Sequence, residues 1–254
     1  MHIEPEKRPA ILGKPVSILM PVYNEQDIIR VVLQEWIDEV MVYLPEGSEL
    51  LLDDCSNDGT EKIIAEMAKV HAFLRVNTAP KDGFAKAARR LYMMAKNPLI
   101  FFTDSDGQYI PADFWTIAAA LGNNDMAHGY KVGRKDPAYR VVSSYLFNLA
   151  LFVLFRMYGH DINSAFRLMR REMIEDILPE TRHMPMLINA EIYLRAKKRG
   201  YTIFDIPTQH RERLYGPSKS LPLQTFFWHG WKAVLGAMKL WSELRKDARQ
   251  KTKW

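Results

Sequence analysis

The chain has 254 residues, of which 48% are apolar and 26% charged, and it carries a net charge of +5. That composition excludes a disordered or fibrous chain and suits one domain of ordinary to large size, or a domain with a small appendage. A single cysteine, Cys55, excludes an internal disulfide and a cysteine-based zinc site, and is compatible with a reducing compartment. The opening residues mix Glu4, Glu6, Lys7 and Arg8 with prolines and lack the apolar core of a signal peptide, so an unprocessed cytosolic start is expected.

In chain order, Val16 to Met20 reads as a strand, PVYNE as a turn, and Glu25 to Val40 as a helix with Ile28, Ile29, Val32, Leu33, Trp36 and Ile37 at helical spacing. Glu49 to Leu52 reads as the next strand and DDCSNDGT as a loop ending in a cap for a helix over Glu61 to Val70. A strand over Phe73 to Val76, a helix through Ala85 to Ala95 and an apolar strand from Leu99 to Thr103 follow. This alternation implies right-handed βαβ units and an α/β fold with a mostly parallel sheet flanked by helices. Three polar loops, PVYNE, DDCSNDGT and DSDGQ, follow strands and therefore open on one edge of the sheet, where such sheets bind ligands. No glycine-rich dinucleotide fingerprint and no P-loop pattern occurs.

The apolar segment Tyr145 to Tyr158 is interrupted by Asn148 and Arg156 and is too short to span a bilayer, which takes about 20 apolar residues. It is expected as a buried helix or as a helix whose outer face rests on lipid. Residues 221–254 form an amphipathic C-terminal helical appendage to a domain over 1–220. There Phe226, Phe227, Trp228, Trp231 and Trp241 crowd beside lysines, and the end carries Lys239, Arg245, Lys246, Arg249, Lys251 and Lys253 against Glu243 and Asp247. Aromatic and basic residues in one helix suit a membrane surface bearing anionic lipid. A helix docked on a core by its apolar face fits the same pattern.

Within DSDGQ, Asp104 and Asp106 are two apart and share one face in extended chain. Two carboxylates that close repel unless a proton or a cation lies between them, and hard oxygen ligands suit magnesium or manganese. A solvated polar turn is the competing reading. Asp54 is placed to hydrogen-bond a base or ribose, Tyr23 to stack on a ring and Glu25 to accept from a hydroxyl or base. Asp53, Asp54, Asn57 and Asp58 are also residues that favour turns and caps.

PVYNE, DDCSNDGT and DSDGQ, followed by DINSAFRLMRR (Asp161 to Arg171) and RLYGPSK (Arg213 to Lys219), resemble the family 2 glycosyltransferases of the GT-A fold. The last two motifs resemble the dolichol-phosphate mannose synthase and polyprenyl-phosphate glycosyltransferase branch. The resemblance implies that Pro21, Tyr23, Glu25, Asp54 and Asp104 hold a nucleotide sugar, and that Asp104, Asp106 and Gln108 hold Mg2+ or Mn2+ and through it the diphosphate. It implies that Lys131, Arg140, Ser144, Arg213 and Lys219 surround an acceptor phosphate, with Asp106, Arg140 and Arg213 carrying catalysis. The chain departs from the pattern at Cys55, at Ala165 in place of glycine, at Lys131 in place of arginine, and across PKDGFAKAARRLY.

A lipid monophosphate is largely ionised at neutral pH, its second pKa being about 6, so its attack on an anomeric carbon needs no protein base. A single displacement inverts that carbon. The expected activity is therefore inverting, metal-dependent transfer from a GDP- or UDP-sugar to a polyprenyl phosphate. The site would be peripheral, on the cytoplasmic face of a membrane, with no spanning helix and with room for a membrane-anchoring partner protein. A transferase acting on a saccharide hydroxyl would instead need a base, for which Asp161 is the candidate. A noncatalytic membrane-surface binding protein on the same scaffold is a third reading, and nucleic acid is not an expected partner.

Overall fold

The computed structural model describes residues 4–10, 12–133, 138–157, 159–213 and 223–251. Its sheet has strands β1 (Val16–Val22), β2 (Glu49–Asp54), β3 (Leu74–Thr78), β4 (Leu99–Phe102), β5 (Met126–Val132), β6 (Arg167–Arg170) and β7 (Ile203–Gln209) in the order β3-β2-β1-β4-β6-β5-β7. Every neighbouring pair is parallel except those of β6, which runs antiparallel to β4 and to β5. The helices are α1 (Ile29–Glu39), α2 (Thr60–Val70), α3 (Phe84–Met94), α4 (Phe114–Leu121), α5 (Ala138–Phe155), α6 (Arg171–Ile177), α7 (Ile188–Arg199) and α8 (Leu223–Lys251). This is the expected α/β arrangement of GT-A type, with a helix at the C-terminal end.

β1 lies in the middle of its neighbours and is buried along its length apart from Pro21, which is why VSILM reads as a continuous apolar run. The register aligns Val22 with Asp54, and Leu19 with Phe102, so the loops after β1, β2 and β4 leave the same edge. Beneath that edge Phe101 meets Phe114 and Phe166 edge-on with ring centroids 4.9 and 4.8 Å apart, and Trp36 closes the cluster at 5.6 Å from Phe101. Such ring pairs add about 0.5–1.5 kcal/mol each beyond the area they bury. The floor of the site is thus a rigid aromatic core.

Helix α1 differs from the sequence expectation, and α5 follows one of the two readings given for it. Helix α1 starts at Ile29 instead of Glu25, because Asn24 adopts a left-handed φ of 55° and Glu25 begins a turn whose carbonyl accepts from Ile28 and Ile29. The apolar segment in α5 is only partly buried: Leu151 reaches the core, whereas Val142, Tyr145, Leu146, Leu149, Phe152 and Val153 are exposed along one face. That face repeats at three- and four-residue steps, so a helix of helical periodicity presents apolar groups outward as well as inward.

Helix α8 docks through Gly236, Ala237, Leu240 and Leu244. A Cβ at Gly236 would stand 2.3 Å from the carbonyl oxygen of His183, so only glycine permits this approach. Glu243 fixes the same helix electrostatically, accepting from Arg195 at 3.0 Å, Arg182 at 2.8 Å and His183 at 2.6 Å. The opposite face exposes Trp228, Trp231, Leu235 and Met238.

Candidate active site

The loops after β1 and β2 are stitched together. Asn24 donates its backbone N–H to Ser56 Oγ at 2.8 Å and exchanges side-chain and backbone hydrogen bonds with Asn57 at 2.8 and 2.9 Å, while Glu25 donates its backbone N–H to Thr60 Oγ1 at 2.9 Å. Asp58 accepts from the Thr60 backbone at 2.9 Å and acts as the turn residue its type suggests. The two aspartates that end β2 point to opposite faces of the sheet and do different things. Asp53 accepts a fork from Arg90 of α3 at 2.9 and 2.8 Å and a bond from Asn77 at 2.6 Å, so it holds the helix to the sheet.

Asp54 accepts from the Ser56 backbone at 3.0 Å through one oxygen, while its other oxygen is buried and has no partner within the protein. Burial pushes the Asp54 carboxyl above its ordinary value, against the lowering bonds from Ser56. A buried acceptor left unpaired costs about 1–3 kcal/mol. It marks a place where a ligand donor would be accommodated. Tyr23, on the adjoining loop, has the Lys81 ammonium 3.9 Å from its ring centroid.

The DSDGQ loop turns at Gly107, whose φ of 70° a side chain would resist. Asp106 accepts the Gln108 backbone N–H at 3.1 Å, and the Gln108 amide reaches the carbonyl of Arg211 at 3.4 Å. Arg211 returns the contact twice, from its backbone N–H to Gln108 O at 3.0 Å and from its guanidinium to the carbonyl of Gly107, while forking onto Glu35 of α1. The chain leaving β7 is thereby laid against the acidic loop. Two residues on, Arg213 pairs with Glu25 and stands 3.8 Å from Asp106. Both Arg213 and Glu25 are largely buried, so this pairing lies inside the cleft.

Burial and, next to it, the Asp106 charge push the Asp104 carboxyl up to about 7, opposed by Lys131, Arg167 and Arg213. Asp104, Asp106, Lys131, Arg213 and Glu25 therefore form one electrostatic cluster. Among the described residues no set of three or more acids, histidines or cysteines converges, so a cation here would depend on the two carboxylates and on oxygens of a ligand. The chemistry of the donor set fits a divalent ion: two neighbouring carboxylates, with the proton affinity of Asp104 raised by burial and by the Asp106 charge, present hard oxygens to a positive charge.

The DINSAFR segment supports this cluster from behind. Arg167 is fully buried and donates to the carbonyls of Ser164, Ile162 and Asn189. Burial lowers its proton affinity, against the pull of nearby tyrosines and Asp161. Ser164 and Tyr109 share a hydrogen bond of 2.9 Å, Tyr109 stacks on Phe166 at 4.8 Å, and Lys131 lies 5.2 Å from the Tyr109 ring. Asp161 adopts a left-handed φ of 38°, and one of its carboxylate oxygens is buried with no partner in the protein.

Among the sequence candidates, Glu25, Asp106 and Arg213 are in direct contact, with Asp104, Lys131 and Gln108 beside them. Pro21, Tyr23 and Asp54 stand on the same sheet edge. Ser144, on α5, has a backbone carbonyl that accepts from Asn148 at 3.0 Å. The side chain of Arg140 and all of Lys219 lie outside the described residues. Residues the motifs did not single out are Arg211 and Lys81; Thr60, expected as the helix cap that ends DDCSNDGT, is instead the first residue of α2, and its hydroxyl accepts from the Glu25 backbone. Only Arg211 had a signal, as a cation two positions before Arg213.

Residues 17–178 match the profile of glycosyl transferase family 2, more than half of the chain. The chain belongs to this family. It is 27% identical over 219 residues to the polyprenol monophosphomannose synthase of Mycolicibacterium smegmatis, covering 80% of this chain and 79% of that one. It is 26% identical to the dolichyl-phosphate hexose transferase of Haloferax volcanii, covering 78% and 83%. Against the undecaprenyl-phosphate 4-deoxy-4-formamido-L-arabinose transferase of Aeromonas hydrophila it is 25% identical, over 81% of this chain and 63% of that one. Glucosyl-3-phosphoglycerate synthase from Mycobacterium tuberculosis, solved with Mn2+, UDP-glucose and phosphoglyceric acid, superposes with a TM-score of 0.70 at 16% identity, over 93% of this chain and 83% of that one. That likeness bears on the fold and agrees with the GT-A architecture. This family 2 protein is a glycosyltransferase.

Proposed function

We propose that the protein transfers a hexose from a nucleoside-diphosphate sugar to a polyprenyl phosphate at a membrane surface, with inversion at the anomeric carbon. The observation that carries this reading is the Arg213 guanidinium held between Glu25 and Asp106, at the start of the basic segment RLYGPSK that follows β7 in sequence. An arginine there can meet an anionic acceptor while neighbouring the donor carboxylates. The relatives named for polyprenol, dolichyl and undecaprenyl phosphate support a lipid-phosphate acceptor.

In this reading Pro21, Tyr23, Glu25 and Asp54 take the nucleoside, the free oxygen of Asp54 accepting from base or ribose. Asp104 and Asp106, with Gln108, would hold Mg2+ or Mn2+, which supplies charge neutralisation for the departing diphosphate. Lys131, Arg140, Ser144, Arg213 and Lys219 receive the acceptor phosphate. The acceptor is ionised at neutral pH, so the residues position two anions and screen their repulsion instead of removing a proton.

The exposed apolar faces of α5 and α8 suit peripheral attachment. Among the described residues no helix is long and apolar enough to cross a membrane. Exposing each methylene of a polyprenyl chain to water costs about 0.8 kcal/mol, so the site goes to the lipid. A spanning partner protein and a cytoplasmic face are compatible with this arrangement.

The unpaired oxygen of Asp161 favours one second reading, a base for a saccharide hydroxyl. Incubation with a panel of GDP- and UDP-sugars, a short polyprenyl phosphate, a saccharide acceptor and Mn2+ or Mg2+ separates the two. A hexose mass added to the lipid fraction supports the first, and elongated saccharide with unchanged lipid contradicts it.

A further inference from the structure

Where the C-terminal end of α5 meets α8 there is a cavity of about 390 Å3 that the catalytic cluster does not use. Its rim carries Arg156, Lys198 and Arg245, all exposed, and its wall includes Val153, Phe155 and Trp241. No carboxylate occurs among the described residues that line it. Arg245 lies over the Trp241 ring at 4.5 Å, and Arg156 holds a left-handed φ of 53° at the point where the chain leaves α5.

Two apolar stripes run into this cavity. One descends α5 through Leu146, Leu149 and Phe152 to Val153, and the other follows α8 through Trp228, Trp231 and Met238 to Trp241. The stripes suit acyl chains, and the three cations with a tryptophan at their junction suit a phosphate at headgroup depth.

We propose that this cavity seats the phosphate headgroup of an anionic bilayer lipid, distinct from the acceptor, and so fixes how the enzyme sits on the membrane. The occupant is a bilayer phospholipid because the cations stand at the end of exposed apolar faces, where a soluble anion would leave those faces in water. The proposal rests on the membrane-surface reading above, and its elements are not those that hold Asp106 and Arg213.

The test is flotation of the full chain with vesicles of phosphatidylcholine alone, or of phosphatidylcholine and phosphatidylglycerol in equal parts, without donor. The R156Q/K198Q/R245Q variant is expected to lose about a hundredfold in affinity for anionic vesicles, at about fivefold per cation. Its binding to neutral vesicles and its circular dichroism should match the parent. The K62Q/K69Q/K96Q variant, which removes equal charge from distant exposed positions, should lose far less. Equal losses in the two triple variants, or no loss in the first, would overturn the site. So would competition by inorganic phosphate as effective as that by dihexanoyl phosphatidylglycerol, which would make the cavity a site for free phosphate.

The transfer reaction is measured separately in detergent. Transfer without the anionic-vesicle effect removes this site alone, and the vesicle effect without transfer removes the reaction alone.

Discussion

At the scale of single residues, the candidate site is a set of charges that compensate one another imperfectly. Asp104 bears the cost, since burial and Asp106 both disfavour its ionised form. Asp104→Asn should therefore raise the melting temperature of the ligand-free protein at neutral pH, by about 2–4 °C for each ~1 kcal/mol of repulsion relieved in a chain of this size. Adding Mn2+ with a nucleoside diphosphate should raise the melting temperature of the parent and leave the variant unmoved; an equal rise in both would remove Asp104 from the cation site. Arg213→Ala removes a charged donor, and interactions of that kind contribute about 1.5–3 kcal/mol, so the KM for lipid phosphate should rise by about tenfold to a hundredfold. Lysine at the same position should restore part of the loss, because it keeps the charge but not the fork. A phosphate acceptor also predicts that the rate follows an ionisation of about 6 belonging to the lipid. Asp161→Asn should keep that pH profile even where it lowers the rate, whereas loss of the ionisation in the variant would make Asp161 the base.

At the scale of elements, helix α8 is held by a buried contact at Gly236 and by Glu243. Burial alone would raise the Glu243 carboxyl, but the hydrogen bonds from His183, Arg182 and Arg195 outweigh it and hold the group down to about 2. A carboxyl lowered on folding contributes stability above its ordinary value of about 4.5 and loses it as pH falls toward 2. Glu243→Gln should thus destabilise at pH 7, with the gap to the parent closing between about pH 4.5 and 2 in urea titrations. A gap that persists at pH 2 would assign the effect to packing. Strands β1, β2 and β4 were legible because each is a short, largely apolar run ending in a polar loop, and those three loops did open on one edge; β3 was legible from the β-branched and apolar residues of Phe73 to Val76. Strands β5, β6 and β7 were not, because His128 and Lys131 interrupt the first, Arg167 and Arg170 bound the four residues of the second, and Pro207 breaks the third. Helix α7 carries charged residues along its length, yet Glu191 and Arg195 are buried and paired at 3.0 Å. A buried ion pair is invisible to hydrophobic patterning. The site divided likewise: acidic motif residues could be named from order and spacing, but Arg211 gripping Gly107, and Thr60 gripping Glu25, are contacts between segments far apart in the chain.

At the scale of the whole molecule, one sheet edge gathers Asp54, Asp104, Asp106, Lys131 and Arg213, while α5 and α8 carry exposed apolar stripes. The arrangement suits an enzyme that meets a soluble donor from water and a greasy acceptor from a bilayer. Its central claim is that the acceptor phosphate itself attacks the sugar. Polyprenyl phosphate carrying 18O in its phosphate oxygens, turned over with a nucleotide-sugar donor, tests this by mass measurement of both products. The account predicts a hexosyl lipid that retains all the label, joined through a labelled oxygen, and an unlabelled nucleoside diphosphate. Label in the nucleotide, or sugar attached anywhere but to the lipid phosphate, would contradict it.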